Sequence, residues 1–109
     1  MALALNVFKT VTTVVNTNPT EVYSAPVGYT GVVLLAQVAN IGVISADVTL
    51  VHRRSSTDTE MLREYPISAN DTANLLAGKL VLESGDKLVL SGSNGITLKF
   101  IASILETLN

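Results

Sequence analysis

The sequence predicts a single all-β domain, an antiparallel β-sandwich or jelly-roll-like barrel of about eight strands. Three observations carry that prediction. Short runs rich in Val, Thr, Ile and Leu recur along the chain, clusters of Gly, Pro, Asn, Asp and Ser separate them, and no stretch repeats its apolar residues with the period of an amphipathic helix. At 109 residues the chain is the size of one ordinary domain, and a chain of that length buries about two-thirds of its unfolded surface without disulfides or metals.

In order, Val7 to Val15 is dense in β-branched residues and reads as a first strand, ended by the turn chemistry of Asn16-Thr17-Asn18-Pro19. The apolar Met1 to Leu5 before it reads as an N-terminal arm over residues 1–6, leaving 7–109 as the sandwich. Glu21 to Ala25 is a short second strand stopped by Pro26 and Gly28. Gly31 to Ile41 is apolar at both parities, as in a strand covered on both sides. Asn40 to Ile44 would connect it by a hairpin to Ser45–Arg53, which alternates like a half-exposed strand. Arg54 to Glu60 is the most polar window and reads as an exposed loop tip.

Met61 to Ile67 is a further strand, followed by a polar connection over residues 68–74 and a single helical turn, Leu75 to Gly78. Leu80-Val81-Leu82, the turn Glu83 to Asp86, and Lys87 to Leu90 read as a hairpin. After the Asn94-Gly95 turn signal, Ile96, Leu98, Phe100, Ala102 and Ile104 alternate regularly, which places the last strand at the centre of the core.

Composition excludes several kinds of chemistry. Cysteine is absent, so disulfide frameworks, thiol catalysis and Cys-based zinc sites are ruled out. The one histidine, His52, could join a metal site or a Ser-His-Asp relay only at a subunit boundary, and on the parity of Ala46, Val48 and Leu50 it reads as a core-edge side chain. A formal charge of −2 and a charged fraction of 15% do not supply the clustered Lys and Arg that nucleic acid demands. No window approaches the ~18 apolar residues of a membrane span, and Met1 to Asn6 lacks the basic n-region of a signal peptide, which predicts a chain not secreted by a classical N-terminal signal.

Asp58 and Glu60, near Glu64, could form the acid and base of a glycoside hydrolase but sit in a Ser/Thr-rich window that reads as solvated charge. Asn70, Asp71 and Asn74 offer one carboxylate among three oxygens, too few for a calcium loop. The Gly85-Asp86 and Ser91 to Gly95 segments open no helix, so they read as turns and not phosphate cradles. A carbohydrate platform would have to come from Tyr23, Tyr29 or Tyr65, since Trp is absent. The expectation is a non-enzymatic chain with no cofactor and no metal.

The informative feature is excess apolar surface: 48% of residues are hydrophobic and the mean hydropathy is positive. Ile101 and Leu105 lie opposite the core series of the last strand, and Val33, Leu35 and Ile41 lie opposite the other parity of their own strand. These positions imply either a core wider than one parity or a subunit interface, which Leu3 and Leu5 of the arm would extend; Arg54, Asp58 and Glu60 mark a candidate exposed binding loop.

The segments Val22 to Asn40, Leu75 to Asp86 and Ser103 to Glu106 resemble small virion structural proteins of tailed bacteriophages, nearest to those of T4-like marine cyanophages. The resemblance covers most of the chain after residue 21 and rests on packing and turn signatures. It implies a β-sandwich present in many copies in the virion, on the head, neck or tail and most like a capsid decoration protein. Its partners would be itself and other virion proteins, with neither nucleic acid nor membrane. It carries over no catalytic residue. The alternatives are a receptor- or carbohydrate-binding module of a tail fibre or baseplate, using Tyr29, Tyr65 and the Arg54 to Glu60 window, and a hydrolase built on Asp58, Glu60 or His52.

Overall fold

A computed structural model describes residues 5–109. Nine strands make up the described residues: β1 (Asn6–Val14), β2 (Thr20–Ser24), β3 (Tyr29–Asn40), β4 (Ala46–Arg54), β5 (Thr57–Ile67), β6 (Asp71–Asn74), β7 (Leu80–Leu82), β8 (Lys87–Gly92) and β9 (Leu98–Leu108). They form two antiparallel sheets packed as a sandwich. The first has the order β1-β9-β3-β6, with β7 also pairing β3, and the second the order β2-β8-β4-β5.

β6 and β7 lie end to end along the same edge of β3, β6 against Gln37 to Asn40 and β7 against Gly31 to Val33. Counted as one interrupted strand, they complete a simple rule: the first strand pairs with the last, the second with the last but one, and so inward to β4 and β5. A long antiparallel hairpin rolled so that its strands alternate between two sheets has this pairing, which is the double-sheet jelly roll. The predicted fold class is therefore the observed one, and the ninth strand comes from the interruption.

The rolling corrects several expected connections. Only β4 and β5 are joined by a tight hairpin, at Ser55-Ser56, where Ser55 takes φ 54°. The expected hairpin of β7 with β8 is absent: β7 pairs β3 and β8 pairs β2 and β4, so the Glu83 to Asp86 turn passes from one sheet to the other. Residues 41–45 likewise cross between sheets. Turn residues mark where the chain reverses, and Gly85 does so with φ 86°, but they do not choose the sheet it re-enters.

The Arg54 to Glu60 window is not a loop. Beyond the Ser55-Ser56 turn it is strand, and it is polar because residues 57–60 are exposed. Residues 71–74 of the expected connection form β6, and residues 75–78 form no helical turn; the chain leaves the sheet there, with the Leu75 amide donating to the Ala36 carbonyl at 2.8 Å and the Leu75 side chain buried. Ile96, expected on the last strand, precedes β9 and is exposed.

β3 is apolar at both parities for a reason other than two-sided cover. Its register against β9 shifts between Val33 and Leu35. Before this bulge Gly31 and Val33 face the core; after it Ala36, Val38 and Asn40 do. Val33 is 0% exposed, which removes it from the predicted subunit interface and places it in the core with Val38, Leu98, Phe100 and Ile104, against Val48, Leu50, Leu88 and Leu90 of the second sheet.

Three buried polar side chains hold the roll together, and among the described residues no buried side-chain nitrogen or oxygen lacks a partner. Asn40 donates to the Ile44 carbonyl at 2.9 Å and the Ile67 carbonyl at 3.0 Å and accepts from the Gly42 amide and the Thr97 hydroxyl, pinning the β3–β4 crossover to the end of β5 and to the β8–β9 connection. Across the sandwich, the Tyr23 hydroxyl donates to Glu106 at 2.5 Å, and Lys9 approaches the other carboxylate oxygen at 3.2 Å. Burial, followed by the adjacent Glu106 carboxylate, pushes the Tyr23 phenol well above its usual range.

At the same end of the roll, Asp86 takes two bonds from the Arg54 guanidinium, at 2.9 and 2.7 Å, one from the Glu83 amide at 2.9 Å, and lies 3.1 Å from His52 Nε2. It thereby ties the hairpin end of β4 to the β7–β8 crossover. The Arg54 hydrogen bonds, with smaller contributions from His52 and the Glu83 amide, outweigh the cost of burial and hold its carboxyl far below the usual carboxylate range.

Two predictions follow from these contacts. A Cβ at Gly31 would stand 2.9 Å from the Tyr23 hydroxyl oxygen and 3.2 Å from the ring, so Gly31→Ala should lower unfolding free energy by about 1–3 kcal/mol in urea titrations. The same change should cost less in a Tyr23→Phe background, because the two residues meet. Because Asp86 has a folded pKa below its unfolded one, it contributes stability above about pH 4 and loses it as pH falls from there toward the folded value. Asp86→Asn should therefore melt below wild type at pH 7, with the gap narrowing as thermal scans move below about pH 4.

Candidate functional site: the outer face of the first sheet

Side chains directly opposite on neighbouring strands share a face, so the ladders define what the first sheet shows to the outside. Phe8 of β1 faces Leu105 of β9, Leu105 faces Val32 of β3, and Val32 faces Val81 of β7. This is an uninterrupted apolar row across the whole width of the sheet. Its ends are open, Phe8 at 75% and Val81 at 55% exposure, and its middle is half-buried by its own neighbours. Leu34 and Leu35, turned out by the β3 bulge, lie beside it.

The rest of the face mixes polar and apolar residues and is almost uncharged. Thr10, Ser103 and Leu35 form one row, Thr12, Ile101, Gln37 and Asn74 the next, and Val14, Lys99, Ala39 and Thr72 another. Lys99 is the one charged side chain in these rows. The last two rows border an open groove of about 530 Å³ lined by Thr12, Val14, Gln37, Ala39, Lys99 and Ile101.

The structure places the predicted interface residues on three different surfaces. Leu35, Ile101 and Leu105 do belong to the outer face. Ile41 is exposed but sits in the β3–β4 crossover, its amide bonded to the Thr97 carbonyl, among the exposed Val43, Ile44 and Ile96 at one end of the roll. Leu5 is exposed and its carbonyl accepts from the Leu108 amide, so it already runs beside β9; Asn6 opens β1. Leu3 and the rest of residues 1–4 lie outside the described residues.

Phe8, Val32 and Val81 were not marked by the sequence. Phe8 and Val32 lie in runs apolar at both parities, and Val81 sits in a three-residue strand too short to show a period.

The candidate binding window is occupied by its own ion pairs. Arg53 grips Asp58 through two bonds of 2.6 and 3.0 Å, Arg54 holds Asp86 and approaches Glu83 at 3.0 Å, and Arg63 lies 3.9 Å from Glu60. The Arg53 bonds hold the Asp58 carboxyl below its usual range. Asp58 and Glu60 are thus exposed members of local pairs on a hairpin, and His52 is engaged with Asp86 in the cluster described above.

Tyr29 and Tyr65 stand in different sheets, Tyr29 at the start of β3 and Tyr65 on β5, while Tyr23 is buried, so the tyrosines do not form one platform. Among the described residues no three His, Cys, Asp or Glu side chains gather in a metal-binding arrangement, and no helix is long and apolar enough to cross a membrane.

No protein-family model matches the chain, and no curated protein matches it in sequence. A solved structure is similar: a chain in the acidic stable capsid structure of Helicobacter pylori bacteriophage KHP30, with a TM-score of 0.57 at 12% identity, over 96% of this chain and 89% of that one. The likeness spans nearly the full length of both chains, and at that identity it shows a shared fold.

Proposed function

We propose that this chain is a non-enzymatic structural protein of a tailed-bacteriophage particle, present in many copies and assembling with itself and with other virion proteins through the outer face of its first sheet. A capsid-decoration role on the head is favoured over neck or tail, and the T4-like cyanophage group is the proposed origin. The observation that carries the reading is the apolar row Phe8, Leu105, Val32 and Val81 running across the first sheet. The shared fold with a chain from a phage capsid supports it, as does the gathering of the Arg53, Arg54 and Arg63 ion pairs at the β4–β5 hairpin and the β7–β8 turn, away from that row.

Four fully exposed side chains of this kind would give roughly 6–12 kcal/mol gross on burial, against about 4–15 kcal/mol for the lost translational and rotational freedom of association. This row gives less, because Val32 and Leu105 are already half-buried. One row therefore holds a single pair only marginally. Repetition decides the balance: a closed ring, or docking on a capsid lattice, gives each copy more than one contact for the same loss of freedom.

Light scattering on the purified chain and on Phe8→Ser/Val81→Ser tests the reading. Both substituted positions are more than half exposed, so the variant should keep its fold to within about 0.5 kcal/mol each. The expected result is a wild-type oligomer that dissociates in the folded variant. A wild-type chain that stays monomeric and also fails to add to purified phage capsids would overturn it.

A further inference from the structure

The four sheet edges of the roll are not protected alike. An edge strand presents unpaired backbone groups, and proteins blunt such edges with bulges, proline, charge or short strands. β5 has two register shifts against β4, Pro66 in its run, and the exposed charges Asp58, Glu60, Arg63 and Glu64. β2 is five residues long, is bulged between Glu21 and Tyr23, and carries the Glu21–Lys87 ion pair. The β6–β7 edge is broken in the middle by residues 75–79.

β1 lacks the bulge, the proline and the short run that blunt the other edges, and carries a single charge. It runs nine residues with an unbroken register against β9 and contains no proline. That charge, Lys9, lies on the inward-parity row with its side chain 47% exposed, and its pairing with Glu106 partly neutralises it. Among the described residues no strand lies beyond it.

The direction of its free backbone groups can be read from the ladder. The Val15 amide donates to Leu98 and the Leu108 amide to the Leu5 carbonyl, so the odd-numbered residues of this segment turn their backbone groups toward β9. The even-numbered residues, Asn6, Phe8, Thr10, Thr12 and Val14, turn theirs to the open side. Their side chains are also those on the outer apolar face.

We infer that the open edge of β1 pairs antiparallel with β1 of a second copy, on a two-fold axis through Thr10, joining the two first sheets into one. A two-fold pairing must set one residue opposite itself. With Thr10 on the axis, Asn6 meets Val14 and Phe8 meets Thr12, so all five residues with outward backbone groups find partners and Lys9 meets Val11. An axis at Lys9 would set like charges opposite each other and leave Val14 unpaired; an axis at Val11 would leave Asn6 unpaired. The inference rests on the proposed self-assembly only for the identity of the partner, since it uses an edge and not a face.

The absence of cysteine from the chain gives the test a clean background. In a ladder pair of this kind the Cα atoms stand about 5.5 Å apart, inside the range a disulfide spans. Under mild oxidation, Thr10→Cys should become mostly a disulfide-linked dimer on a non-reducing gel. Glu60→Cys, on the protected edge of β5, should stay mostly monomeric, and Thr10→Lys should lower the solution mass of the folded chain. Cross-linking of Thr10→Cys no greater than that of Glu60→Cys overturns the inference. If that happens while the wild type still forms oligomers that Phe8→Ser/Val81→Ser dissociates, the edge pairing alone has failed; if the wild type is monomeric as well and adds to no capsid, both readings have.

Discussion

The position of β9 between β1 and β3 sets both surfaces of the first sheet. Its inward residues Leu98, Phe100, Ala102 and Ile104 are all nearly inaccessible, and each removes apolar area from water at roughly 25 cal/mol per Å². Because side chains alternate, fixing that row inward obliges Lys99, Ile101, Ser103 and Leu105 to point outward. The two flanking strands inherit the same division through their registers. An outer face containing Leu105 and Ile101 is the geometric counterpart of the core, and its apolar character is a property of the residues placed there.

Rolling a hairpin into two sheets has a cost at the ends, where the crossing chain would otherwise bury unpaired backbone groups. The three buried polar side chains sit where they relieve it. Asn40 supplies partners to two carbonyls and an amide at one end. At the other, Asp86 gathers the β4 end and the β7–β8 turn, and Glu106 with Tyr23 ties the sheets face to face, in space left by the missing side chain of Gly31. The groups that look most like catalytic chemistry, the Asp86 and His52 pair among them, are fasteners of the connections.

Charge and apolar surface are segregated as a result. The ion pairs of Arg53, Arg54 and Arg63 line the β4–β5 hairpin, on a strand that is also bulged, while the outer face of the first sheet and the edge of β1 carry little charge. A hairpin of this kind stays solvated and resists edge pairing, whereas a regular edge with a single, paired charge resists it less. The asymmetry is what the proposed assembly uses.

The strand-rich class, the jelly-roll-like alternative, the central last strand and an excess of apolar surface were legible in the amino-acid order, because each depends on local period and composition. The core series Leu98, Phe100, Ala102 and Ile104 could be read directly for that reason. The pairings could not. Turn residues at Gly85 and around Asn40 specify a reversal whether the next strand joins the same sheet or the opposite one, and only packing of the whole chain selects the roll. The β3 bulge was hidden for a related reason: a one-residue shift exchanges the two faces, so a strand apolar at both parities admits several assignments until β9 fixes the register, which sends Val33 inward and Leu35 out. The row of Phe8, Leu105, Val32 and Val81 depends on three ladders at once. By itself the sequence determined that apolar surface would be left over; only the tertiary structure decided where it lies, because face and neighbour are set by register between segments far apart in the chain.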